Sequence, residues 1–214
     1  MEARRGRKTG VVDLTRGELG TRGTPETRDA EARAASEILG LSVRANLGLA
    51  DGFFRPDRES IEAVIRHIRL FRPDVILAPA IRDRHPDHGR ASRLIAEASF
   101  LSGLRKIETS WEGEPQEPWR AGVLYHYIQD RWIKPDFAVD ISEAMEEKMK
   151  AVLAFQTQFH DPESTEPATY ISSPEFMDNI RARAAETGRP AGYKYAEGFV
   201  AERRLGVDSI FDLK

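Results

Sequence analysis

Short apolar runs alternate with longer amphipathic ones along this chain, and the alternation sets the first structural expectations. "TGVVDL" (9–14) reads as a strand that stops at the glycine-rich, charged loop "TRGELGTRGTPE" (15–26). Thr24-Pro25-Glu26 reads as a helix start: a capping hydroxyl, a proline in the first turn, then an acid near the positive end of the helix. From Pro25 to about Leu39, Ala32, Ala35, Ile38 and Leu39 recur at helical spacing, and Gly40 is the expected terminator. "VRANLGLADGFF" (43–54) holds a short strand and a loop. "RESIEAVIRHIRLF" (58–71) is a second amphipathic helix, ended by Arg72-Pro73.

"DVILAPA" (74–80) is continuously apolar, the pattern of a buried parallel strand. A third helix is expected from about His88, with Ala91, Leu94, Ile95 and Ala98 on one side. After a Trp/Pro/Glu-rich loop (110–120), "GVLYHYI" and "DFAVDI" read as two further strands. Ser142 is expected to open a helix through "EAMEEKMKAVLAFQTQF" (143–159), and a last helix follows Pro174. Strands alternating with helices predict a single α/β domain over 1–214, a Rossmann-like three-layer sandwich with a mostly parallel sheet. In such sheets ligands sit beyond the carboxyl ends of the strands. Two charged loops leave strands at that edge, "TRGELGTRG" and "RDRHPDHGRAS" (82–92), and are candidates for one shared site.

Composition narrows the chemistry. The 214 residues carry a net charge of −3, which gives no reason to expect a nucleic-acid partner. There is no cysteine, so any metal must be held by His, Asp or Glu. No apolar stretch is long enough for a membrane span, and the basic start "MEARRGRKTG" has no apolar stretch after it, so the cytoplasm is the expected compartment. "TRGELGTRG" lacks phosphate-loop spacing, and no G-x-G-x-x-G follows a strand, which disfavours a nucleotide-binding reading.

His85, Asp87 and His88 are the strongest chemical candidates, with Asp87 expected near the helix cap and His88 in the first turn. The positive helix end disfavours imidazolium there and favours a neutral, metal-competent His88. Asp87 could fix a ring tautomer as carboxylates beside metal-bound histidines do. Two histidines do not make a catalytic zinc site, which needs three protein ligands and an open position. His67 and His160 read as packing or helix-end residues, whereas His126 lies on a strand near the expected pocket.

The blocks "VVDLTRGELGTRGTPETR", "ASEILGL", "NLGLADGFF", "RPDVILAPAIRDRHPDHGRAS", "FLSGLRK", "SSPEFMDNIRARA" and "YKYAEGF" follow in order. Together they resemble the LmbE-like (PIG-L) zinc N-deacetylases, and within them the bacillithiol-biosynthesis branch that acts on N-acetylglucosaminyl malate. The resemblance implies one Zn2+ per chain in the complete domain, with His88 as a zinc ligand. It also implies His85 as the general acid and Asp87 as the residue orienting it. Arg16, Glu18, Asp51, Arg105, His126, Tyr195 and Glu197 are then candidate contacts for a small amino-sugar substrate. Arginine suits bidentate carboxylate recognition, and malate brings two carboxylates. Homo-oligomers are a further expectation from the resemblance.

The chain departs from the family in one respect. It has no His-Pro-Asp-Asp loop, which in the family supplies two zinc ligands and the base. The sequence reading therefore expects a first strand, its loop and part of a helix to lie upstream of Met1. The alternative expectation is a truncated, non-catalytic remnant that keeps a sugar-binding pocket.

Overall fold

The computed structural model describes residues 1–212 and has the α/β architecture expected from the alternation. Along the chain come β1 (Gly10–Asp13), α1 (Pro25–Leu39), β2 (Val43–Asn46), α2 (Arg58–Phe71), β3 (Val75–Ala78) and α3 (Pro86–Leu101). A short pair follows, β4 (Ser110–Trp111) and β5 (Glu114–Pro115). Then come β6 (Val123–Tyr127), β7 (Phe137–Asp140), α4 (Met145–Leu153), α5 (Pro174–Gly188) and β8 (Ala196–Ala201). The chain divides into two compact units. The first comprises Met1–Asp51 and Val139–Glu197, and the second comprises Gly52–Ala138 and the chain from Gly198. No helix among the described residues is long and apolar enough to cross a membrane.

In the first unit β1 and β2 pair in parallel, Gly10 opposite Val43 and Asp13 opposite Asn46. The approach is close at Gly10, where a Cβ would lie 2.6 Å from Val43 Cγ1. Arg44 holds Asp13 with two bonds, of 2.6 and 2.9 Å, across the pair. α1 starts as its sequence dictates: Thr24 accepts from the Thr27 N–H, Thr27 answers at the Thr24 N–H, and Pro25 occupies the first turn. It stops at Gly40 in the left-handed region (φ 63°). Ile141, Met145, Met149 and Ala184 form the core beneath α4 and α5.

The helix expected over 143–159 is shorter in the structure. Asp140 Oδ1 takes both the Ser142 N–H and its hydroxyl, so a 3-10 turn over Ser142–Ala144 precedes α4. α4 ends at Leu153, and beyond it Glu31 on α1 takes the backbone N–H of Thr157 at 2.7 Å and its hydroxyl at 2.9 Å. A tertiary carboxylate thus replaces what would have been the continuing helical bonds.

In the second unit β3 pairs in parallel with β6, and β6 in turn pairs antiparallel with β8. The strand β8 was not anticipated from the sequence, because Gly198 interrupts its apolar run. That glycine is required by a close approach, since a Cβ there would meet Pro135 Cβ at 2.9 Å. α2 starts at Asp57, whose carboxylate accepts from the Ser60 N–H, and ends on Arg72 in the left-handed region. It buries Ile61, Val64, Ile65 and Ile68, and α3 buries Ala91, Leu94 and Ala98. Arg69 is buried with them. Its guanidinium donates to the carbonyls of Ser102, Leu104 and Ile107 and to the Thr109 hydroxyl, fastening the loop after α3.

The apolar run of β3 is not covered on both faces as expected. Ala78 is fully buried, but Val75 is 46% and Leu77 52% exposed. Side chains alternate across a strand, so one face of β3 is packed and the other is open.

Candidate active site

β3 delivers the chain to the loop 79–85, and α3 leaves that loop at Pro86. The helix cap is His85 rather than Asp87. Its Nδ1 accepts the Asp87 N–H at 3.3 Å, while Pro86, with its fixed φ and no N–H to leave unpaired, takes the first helical position. Since Nδ1 is the acceptor, the neutral His85 ring carries its hydrogen on Nε2.

His88 lies in the same first turn, its ring centroid 5.3 Å from that of His85. Its Nδ1 faces Asp83 Oδ2 at 2.5 Å, so Nδ1 holds the hydrogen and the lone pair lies on Nε2. Gln129 confirms this assignment. Its Oε1 accepts the Ala80 N–H, which turns its amide nitrogen toward His88 Nε2 at 3.3 Å. The two rings are therefore complementary: His85 presents an N–H and His88 a lone pair.

Asp83 does the work expected of Asp87. Its side chain is fully buried, and its Oδ1 accepts the N–H groups of Asp130 and Arg131 at 3.0 and 2.7 Å. Burial pushes its carboxyl up, but the Arg131 N–H, the His88 ring and the Arg84 N–H together hold it below the ordinary carboxylate range. Asp87 touches His85 only through its backbone N–H. Its carboxylate instead accepts the Gly52 N–H at 2.8 Å and pairs with Arg90, which also donates to the Gly52 carbonyl and lies over the Phe54 ring. From the sequence Asp83 and Arg90 are only charged neighbours of the histidines, without a role, and nothing points to Gln129. The one available signal was Asp83, five residues before His88 in the same charged loop.

Each remaining candidate has its own contacts. His126, proposed as a substrate contact, is 1% exposed, with Nδ1 against the Pro79 carbonyl and the Ser92 hydroxyl and Nε2 against Glu202. Packing encloses it and leaves no ring edge for a substrate. Arg105 follows the carboxyl end of α3, and the 16 residues of that helix put it roughly 24 Å beyond the histidine end. In the first unit, Arg16 pairs with Asp29 at 2.5 Å and with Glu26 at 3.5 Å, and the bond to Asp29 pushes its guanidinium pKa up. Glu18 accepts the N–H groups of Arg16 and Asp51, while Asp51 accepts the Leu19 N–H, so these two acids knot their loops together. Glu197 pairs with Lys148 at 2.5 Å, and the backbone N–H of Tyr195 donates to the Ser142 hydroxyl.

A catalytic zinc needs three protein ligands. Among the described residues, no three His, Cys, Asp or Glu side chains gather as a metal-binding group. His88 is oriented as a metal ligand would be, but these residues do not complete a zinc site. What the pair offers unaided is a positioned proton donor beside a positioned lone pair.

A family model described as PIG-L, GlcNAc-PI de-N-acetylase, matches residues 1–99. The diacetylchitobiose deacetylase of Thermococcus kodakarensis is 29% identical over 194 residues, covering 88% of this chain and 67% of that protein. The 4-oxalmesaconate hydratase of Pseudomonas putida is 26% identical over 146 residues, covering 68% of this chain and 56% of that protein. A conserved protein of Thermus thermophilus of known crystal structure superposes with a TM-score of 0.84 at 38% identity, covering 96% of this chain and 87% of that one.

Proposed function

We propose that the chain is a de-N-acetylase of the PIG-L, or LmbE-like, family, whose model matches residues 1–99, and that it hydrolyses the N-acetyl amide of an N-acetylglucosaminide. The favoured substrate is N-acetylglucosaminyl malate, and the favoured compartment is the cytoplasm. The observation that carries the reading is the histidine pair, with His88 pinned by buried Asp83 and His85 set beside it as an N–H donor.

In this reading water adds to the amide carbonyl carbon, and the negative charge gathers on the carbonyl oxygen. His85 Nε2–H donates to that oxygen and, as the C–N bond breaks, passes its proton to the nitrogen while Nε2 takes one from the added water, so the ring ends neutral and acetic acid and a free amine leave. Asp83 holds the His88 ring at fixed orientation, and Arg90 and the Gly52 N–H hold Asp87, whose backbone N–H aims His85. Zinc is the cofactor proposed for the complete family domain, with His88 Nε2 as a ligand from this chain.

The test is release of free amine from N-acetylglucosaminyl malate and from diacetylchitobiose by the 214-residue chain, its His85→Ala form and its His88→Ala form. Amine release that falls at least 100-fold in each variant supports the reading; a loss of roughly 10²–10⁴-fold is typical for a general acid. If the unaltered chain releases no amine from either compound, the reading is wrong and the non-catalytic alternative replaces it. Turnover of 4-oxalmesaconate without amine release would favour hydratase chemistry instead.

A further inference from the structure

At the opposite end of α3 from the histidines, the second unit carries a surface cleft of about 400 Å³. That volume falls within the range of small-molecule sites. Its walls are the last turns of α3, the start of β6 and the segment that follows β8. Phe100 in its wall lies roughly 18 Å along the helix from His88, so the cleft is separate from the histidine pair.

Arg120, Arg203 and Arg204 line this cleft. Arg120 lies over the Phe100 ring, 4.5 Å from its centroid, and donates to the Phe100 carbonyl at 2.9 Å. Gly103 leaves room for it, since a Cβ there would come within 2.6 Å of Arg120 Nε. Arg203 donates to the Gly122 carbonyl at 3.3 Å. A guanidinium has five N–H donors, so these bonds position both side chains and leave most of their donors unused. Among the described residues none of the three arginines has a carboxylate partner.

Glu202 also lines the cleft, and its carboxylate is bonded to a buried ring. His126 Nε2 faces Glu202 Oε1 at 2.7 Å and its Nδ1 faces the Pro79 carbonyl at 2.8 Å. The Ser92 hydroxyl also meets Nδ1, at 3.1 Å, so the buried ring is fixed in place and holds Glu202 at the cleft wall. With three arginines against one glutamate among its lining residues, the cleft has a positive balance. Arg120 also serves as a C-terminal cap for α3, but Arg203 and Arg204 lie beyond β8 and cap no helix.

We infer that this cleft binds a small organic dianion, of phosphate or dicarboxylate type, through Arg120, Arg203 and Arg204. Guanidinium groups suit both oxyanions because their paired N–H donors match two oxygens at once. The apolar wall of Phe100, Ala121 and Leu124 would take the carbon body of the ligand.

The experiment is titration calorimetry of the full chain with inorganic pyrophosphate and, separately, with succinate. Three proteins are compared: the unaltered chain, the Arg203→Ala/Arg204→Ala double variant and the Arg33→Ala control. Arg33 is an exposed residue of α1 in the first unit, so its loss removes one charge and leaves the cleft intact. Saturable binding of one equivalent, weakened at least tenfold in the double variant and unchanged in the control, is expected. The probe that binds more tightly identifies the ligand as phosphate-like or carboxylate-like. Absence of saturable binding by both probes, or an equal loss in the control, overturns the proposal.

Discussion

The chemistry of single residues here depends on which oxygen each histidine nitrogen meets. Asp83 assigns the His88 tautomer, so Asp83→Asn is expected to lower amine release at least tenfold, because an amide can present N–H where Nδ1 needs an acceptor. Unchanged turnover in that variant would mean that the ring is oriented by something else. The same carboxyl is held below its usual range, so the sign of its pH effect is fixed. The stability it contributes is present above its unfolded value, near 3.8, and is lost as pH falls through the lower folded value. Urea unfolding at pH 6 and pH 3 checks this: the deficit of Asp83→Asn relative to the unaltered chain should be larger at pH 6. A deficit that grows toward pH 3 would contradict it.

At the scale of elements, the sequence was most legible where structure is decided locally. Thr24-Pro25 marks the start of α1 because caps and first-turn prolines act within four residues, whereas α3 starts on His85 and Pro86 rather than at the expected Asp87. Partners distant in the chain could not be read. Glu31 ends the helical path near Thr157, Pro135 demands Gly198 in β8, and the Ala80 N–H fixes the Gln129 amide. The histidine loop was visible from its residues, whereas the identity of the carboxylate behind His88 required the fold. Arg69 is the clearest case of a long-range element fastener. Its four bonds to the loop after α3 run from the buried side of an amphipathic helix, and burial pulls its guanidinium pKa down. Arg69→Ala is expected to cost about 2–4 kcal/mol, because it strands buried carbonyls as well as leaving a void. Chemical denaturation reads this directly, and a loss below about 0.5 kcal/mol, the range of surface substitutions, would show that the loop is held otherwise.

At the scale of the whole molecule, each compact unit carries its own polar cluster: the Glu18–Asp51 knot in the first, and the histidine pair with its buried aspartate in the second. The open face of β3 bears on how the protein behaves in bulk. Val75 and Leu77 offer water two large aliphatic side chains on one strand, and the attraction between such surfaces weakens on cooling. Solutions of the chain should therefore scatter more light at 30 °C than at 5 °C, reversibly, and Leu77→Lys should flatten that dependence. The protein would then be one to concentrate in the cold, and its apparent size would be a property of the thermometer as much as of the sequence.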